Sequence, residues 1–159
     1  DDTLRPMGRS ATGVIGIRFK NDEDHLLSMD VATPDKYVVT VTDGGWAKRT
    51  SLTEWAPKGR GTQGVRAMRL VEKRGGLAGA LVCAEDDEIF AIASNGVVIR
   101  TRVDEIRAAG RDTMGVSFMK VGEDDQVVAV ARSSAAAQAE LEELAAQEAP
   151  ASDTAETEG

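Results

Sequence analysis

Between Ala56 and Leu70 the chain reads APKGRGTQGVRAMRL, which sets Lys58, Arg60, Arg66 and Arg69 among glycines and includes no acid. Bases on a glycine-rich loop suit an anion such as phosphate. Where no Cβ intervenes, backbone N–H groups can come close to the ligand, and side-chain charge adds to them. Five more bases, Lys48, Arg49, Arg100, Arg102 and Arg111, lie near this loop or near its counterparts elsewhere in the chain. An ordinary solvated strand face would carry the same charges, so charge alone leaves both readings open.

Catalytic chemistry finds little material. His25 is the only histidine and Cys83 the only cysteine, which gives no zinc set and no Cys–His pair. No Ser–His–Asp arrangement has supporting context. Cys83, inside GALVCA, reads as a small buried strand residue. Tyr37, the only tyrosine, opens the apolar run YVVTV and reads as packing. The carboxylate clusters NDED (21–24), AEDDE (84–88) and GEDD (122–125) fall at predicted hairpin tips. They lack the alternate-position ligands and glycine of a calcium loop and read as solvated turns, so no metal site is expected.

The elements that must position the bases come from a repeat. Gly13, Gly64 and Gly115 are spaced 51 residues apart, and the same period relates Gly8-Arg9, Gly59-Arg60 and Gly110-Arg111. It also relates Gly45 to Gly96, Arg49 to Arg100 and Thr50 to Thr101. Each copy reads as four short strands. In the second these are VRAMRLV (65–71), AGALVCA (78–84), EIFAIAS (88–94) and VVIRTRV (97–103). The first offers VIGIRF, HLLSMDV, KYVVTVT and WAKRTS, and the third only VSFMKV and QVVAVAR. Turns are expected at 43–45 and at Asn95-Gly96, the latter of type I′. The fold class is therefore all-β, with four-stranded units that close radially as in a propeller. Residues 1–132 form this domain, with repeats at about 8–58, 59–109 and 110–132.

Residues 133–159 form a tail. SSAAAQAELEELAAQ (133–147) has good helix formers, and the acid- and Pro-containing end has the composition of a disordered segment. The net charge of −8 belongs to this tail, which holds seven acids and no base. Residues 1–132 are left with 20 acids and all 19 bases. The lack of an initiator methionine and the incomplete third copy suggest a piece of a longer protein, with exposed sheet edges and a tendency to associate. The single cysteine and the lack of a long apolar run point to the cytoplasm, with no membrane partner.

Carried round a ring, the nine bases would form a basic belt, as a phosphate backbone requires. Only Trp46 and Trp55 interleave them, which disfavours single-strand stacking and favours duplex DNA recognised by shape. The units GRSATGVIGIRF, GRGTQGVRAMRL and GRDTMGVSFMKV, with their hairpins, resemble blades of the C-terminal domain of the gyrase A family of type IIA topoisomerases. The resemblance covers residues 1 to about 132 and matches roughly the last half of that domain. It implies a β-pinwheel whose neighbouring blades exchange strands and whose rim wraps duplex DNA for negative supercoiling. It also implies a bacterial, nucleoid-associated complex of two A and two B subunits, with ATP and Mg²⁺ used by other parts and no cofactor in this segment. The family's gyrase-A box, Gln-Arg-Arg-Gly-Gly-Arg-Gly, aligns with KGRGTQG (58–64), which keeps only Arg60, Gly61 and Gly64. That degenerate box leaves open, as an alternative, the C-terminal domain of the related topoisomerase IV. Protein-binding propellers of the kelch or chromosome-condensation-regulator sort have similar periods but different signatures.

Overall fold

A computed structural model of the chain describes residues 5–133. Seven strands form two antiparallel sheets. In the first, β1 (Tyr37–Thr42) is flanked by β2 (Trp46–Ser51) and β3 (Leu77–Cys83), with β6 (Val116–Ser117) beyond β2. In the second, β4 (Glu88–Ala93) lies between β5 (Val98–Arg102) and β7 (Val127–Ser133). The repeat survives in three dimensions. β1 and β4 begin 51 residues apart, and so do the register breaks at Val41/Thr42 and Ile92/Ala93.

β1 is a β-branched run in which Val39, Thr40, Val41 and Thr42 are all buried, as expected of a strand covered on both faces. In β4 the buried residues alternate as Ile89, Ala91 and Ala93. Val39, Val41 and these three join Ala47, Cys83, Val103, Ile106, Met119 and Val127 in one core. β3 and β7 meet closely there. A Cβ on Gly79 would sit 2.9 Å from a Val130 methyl, so glycine lets the sheets approach.

Each sheet takes its strands from more than one sequence copy. The first combines β1 and β2 of the first copy with β3 of the second and β6 of the third. Four consecutive strands of one copy therefore do not make one sheet, and neighbouring units exchange strands.

Three expected strands do not form. VIGIRF and HLLSMDV form no ladder and are exposed, with Ile15, Phe19, Leu26 and Met29 in solvent and only Ile17 bridged, to Thr62. VRAMRLV has no ladder either, although Met68 is buried and the Arg69 amide donates to the Thr113 carbonyl. A strand needs a continuous neighbour for its backbone groups. VIGIRF and VRAMRLV meet the loop residues Thr62 and Thr113, while HLLSMDV meets β3 through side chains, Ser28 Oγ donating to the Ala80 carbonyl and Asp30 accepting from the Val82 amide. VSFMKV shrinks to two residues because the Phe118 and Met119 amides both turn to the Gly45 carbonyl.

Both hairpin turns fall where expected, but the second is not type I′. Asn95 keeps negative φ, and only Gly96 is left-handed, at +84°. The Gly96 amide donates to the Ala93 carbonyl and the Ala93 amide to the Val97 carbonyl, giving a three-residue loop closed by glycine. Asn95 Oδ1 accepts from the Val97 amide, which fixes the turn from within. Ser133, expected to open a helix, ends β7. The rest of the expected helix and tail lies outside the described residues.

Candidate nucleic-acid interface

The repeat glycines share one conformation. Gly13, Gly64 and Gly115 have φ of +83°, +72° and +74°, a region that L side chains avoid. Each closes a loop that opens with Gly-Arg. At the second and third loops the Thr62 and Thr113 hydroxyls donate to the carbonyls of Gly59 (3.2 Å) and Gly110 (2.9 Å). The Thr62 and Thr113 carbonyls accept from the amides of Arg18 (2.9 Å) and Arg69 (3.0 Å). The same loop frame is thus built twice, 51 residues apart.

The Lys58–Gly64 loop borders an open cleft lined by Arg5, Arg18, Lys58 and Arg60 together with apolar Met7, Val14 and Ile15. The Gly61 amide donates to the Gly16 carbonyl at 3.0 Å, and φ of Gly61 is +66°. Among the described residues, no carboxylate forms an ion pair with Arg18, Lys58 or Arg60. Four cations therefore surround one glycine-rich turn, with space for an anion between them.

The other predicted bases are placed differently. Lys48 is fully buried, and its Nζ donates to the carbonyls of Gly110 and Arg111, both at 2.6 Å. Burial lowers its pKa below the ordinary lysine range, and Glu54 and Asp112 oppose that shift. Arg49 is nearly buried as well. It pairs with Glu85 at 2.6 Å, donates to the Ile106 carbonyl and lies over the Tyr37 ring. Both act as struts for the segment 104–111 and lie off the exposed rim.

Arg66, Arg69, Arg100 and Arg102 are exposed but paired. Asp112 takes both Arg66 (3.1 Å) and Arg69 (2.8 Å), Glu88 takes Arg100, and Asp104 takes Arg102 (2.7 Å). Hydrogen bonds from Arg69 and Arg66 hold the Asp112 carboxyl down at about 2. The bond from Arg102 lowers Asp104 in the same way. Arg111 lies 5.6 Å from the centre of the Trp55 ring.

Acids therefore stand among these bases. Antiparallel pairing sets Glu88 opposite Arg102 in the β4–β5 hairpin, and the loop frame brings Asp112 to Arg69. Other acids of the hairpin clusters bond to turns, Asp24 and Asp87 to their own and Asp125 to the β4–β5 turn. Asp24 accepts from the Lys20 and Asn21 amides, Asp87 from the Ala84 amide, and Asp125 from Ser94 and Asn95. The sequence reading missed Arg5 and Arg18. Arg18 carried a usable signal, since it lies 51 residues before Arg69.

A model of the family described as DNA gyrase C-terminal domain, beta-propeller, matches residues 2–33, 36–84 and 87–134. The DNA gyrase A subunit of Streptomyces coelicolor is 53% identical over 144 residues, which cover 91% of this chain and 17% of the relative. That of Mycolicibacterium smegmatis is 48% identical over 132 residues, covering 83% of this chain and 16% of the relative. The chain thus spans about a sixth of the curated relatives it matches. Two solved structures share its fold at 24% identity. The C-terminal domain of a DNA topoisomerase IV has a TM-score of 0.72 over 83% of this chain and 43% of its own. A DNA gyrase A C-terminal domain has 0.71 over 81% and 44%. With a pinwheel-like exchange of strands, a three-fold glycine repeat and a family match from residue 2 to residue 134, the chain belongs to the DNA gyrase C-terminal domain family.

Proposed function

We propose that this chain is a non-catalytic, duplex-binding part of a gyrase A subunit, whose exposed bases hold DNA against the rim. Its parent would be an ATP-hydrolysing type II topoisomerase of two A and two B subunits, working on bacterial DNA in the cytoplasm. ATP and Mg²⁺ would act elsewhere in that assembly. The observation that carries this reading is the Lys58–Gly64 loop. Its left-handed glycines open the backbone, and Arg5, Arg18, Lys58 and Arg60 gather round it without a paired acid among the described residues. Such a site holds phosphate oxygens and is indifferent to base edges. The relatives at 46–53% identity are gyrase A subunits, which favours that parent over topoisomerase IV, whose solved domain shares the fold alone. The family match likewise favours it over a kelch-type protein binder.

Duplex binding titrated with salt tests the proposal. Two unrelated duplexes of equal length should bind with similar affinity, and log affinity should fall linearly with log salt. Strong preference for one sequence, or affinity insensitive to salt, would refute phosphate-backbone recognition.

A further inference from the structure

Positions 61 and 112 stand at the same point of the two equivalent loops, and the chain fills them with opposite chemistry. Around both, the threonine turn and the amide-to-carbonyl bond from Arg18 or Arg69 are the same. At the first loop, a Cβ placed on Gly61 would come 3.4 Å from Arg18 Nε. Position 61 therefore faces the guanidinium and presents nothing to it. At the second loop, Asp112 Oδ2 accepts from Arg69 Nη2 at 2.8 Å and Oδ1 from Arg66 Nη1 at 3.1 Å. Two guanidiniums converging on one pair of oxygens is the arrangement they would offer to a phosphate. All three side chains are more than half exposed, so the pair is reachable from solvent.

We propose that Asp112 is an internal phosphate mimic that closes the Gly110–Gly115 loop to DNA and leaves the Lys58–Gly64 loop as the open one. The inference rests on the duplex-binding function proposed above. A carboxylate tethered beside its arginines competes at an effective concentration on the order of mM or more. Displacing it would also leave a negative charge beside the DNA backbone. The carboxyl titrates at about 2, so it stays ionised at any pH where DNA binding is measured. Acid does not open the loop, but a change at position 112 does.

The test uses the full chain and a fluorescent duplex of mixed sequence over a salt series. Asp112→Asn keeps the shape and removes the charge, and Asp124→Asn, at an exposed turn, is the charge-matched control. Far-UV circular dichroism establishes that each variant keeps the fold. Asp112→Asn should tighten binding about 3- to 10-fold at low salt and steepen the salt slope by about 0.9 for each additional phosphate neutralised. Asp124→Asn should change affinity less than about twofold, as a general charge effect in screened solvent does. In an Arg66→Ala/Arg69→Ala background, Asp112→Asn should give no improvement. Equal effects of the two Asn variants, or an improvement that persists without Arg66 and Arg69, would overturn the role of Asp112 while leaving duplex binding intact. Failure of both the wild type and Asp112→Asn to bind duplex at low salt would instead overturn the function on which the inference rests.

Discussion

Replacing the repeat glycines by alanine separates two costs that occur together in most loops. At Gly64 and Gly115 the backbone is left-handed to the same degree, +72° and +74°, so any L residue carries the same strain, about 1–2 kcal/mol. Their surroundings differ. A Cβ at Gly64 would meet only an Ile17 methyl at 3.8 Å, an ordinary contact. A Cβ at Gly115 would sit 2.7 Å from the Ala47 carbonyl oxygen and 2.7 Å from the Met68 methyl. Met68 can swing aside, but Ala47 is held in β2 opposite Val116, so the clash must be relieved by parting β2 from the two-residue β6. Overpacking of this kind adds about 1–3 kcal/mol. Urea unfolding followed by fluorescence of Trp46 and Trp55 should therefore show Gly64→Ala about 1 kcal/mol less stable than the parent and Gly115→Ala about 3 kcal/mol less stable. Gly13, with nothing near its Cβ and few packed neighbours, should cost least. Equal losses at 64 and 115 would refute the claim that the third loop is packed against β2.

Further outcomes follow from the other buried groups and from the tail. Lys48→Met retains the packing but takes the buried donor from the Arg111 carbonyl and leaves the Gly110 carbonyl with the Thr113 hydroxyl alone, and should lower stability by about 1–3 kcal/mol in the same urea assay. Burial, with Asp87 adding to it, raises the Cys83 thiol to about 11, so the folded state favours the protonated form. Stability from this group is complete below the ordinary thiol pKa of about 9 and is lost as pH rises towards 11, and Cys83→Ser should weaken that alkaline loss in melts between these pH values. Below pH 9 a thiol reagent should label Cys83 only on unfolding. Residues 134–159 hold seven acids and no base, so deleting them should raise duplex affinity, most at low salt where charges are least screened. Equal affinity across the salt series would leave the tail without a role in competition.

The parts of the fold legible in the sequence are those set by local conformation. The glycine period was visible because left-handed backbone excludes other residues, β1 because a β-branched run leaves few alternatives, and β4 because it is a short apolar run ahead of a glycine turn. Segments 14–31 and 65–71 have the same strand-like composition, yet no local rule says whether a partner lies alongside. Charge pairing was invisible for a related reason. Lys48 and Arg49 are adjacent bases on a strand, and only the distant segment 104–111 folding over them shows that they brace carbonyls. Asp112 looked like one more loop acid until the loop frame set it between Arg66 and Arg69. Of the predicted rim, Lys58 and Arg60 are the bases that remain open, joined by Arg18, which the period could have found.

The central claim, that an open arginine–glycine loop holds duplex phosphate, is tested most directly by removing one charge from it. Arg60→Ala in the full chain, assayed on two unrelated duplexes over a salt series, should weaken binding to both equally. The slope of log affinity against log salt should shrink by about 0.9 for one lost phosphate contact. An unchanged slope, or a loss confined to one of the two sequences, would contradict it.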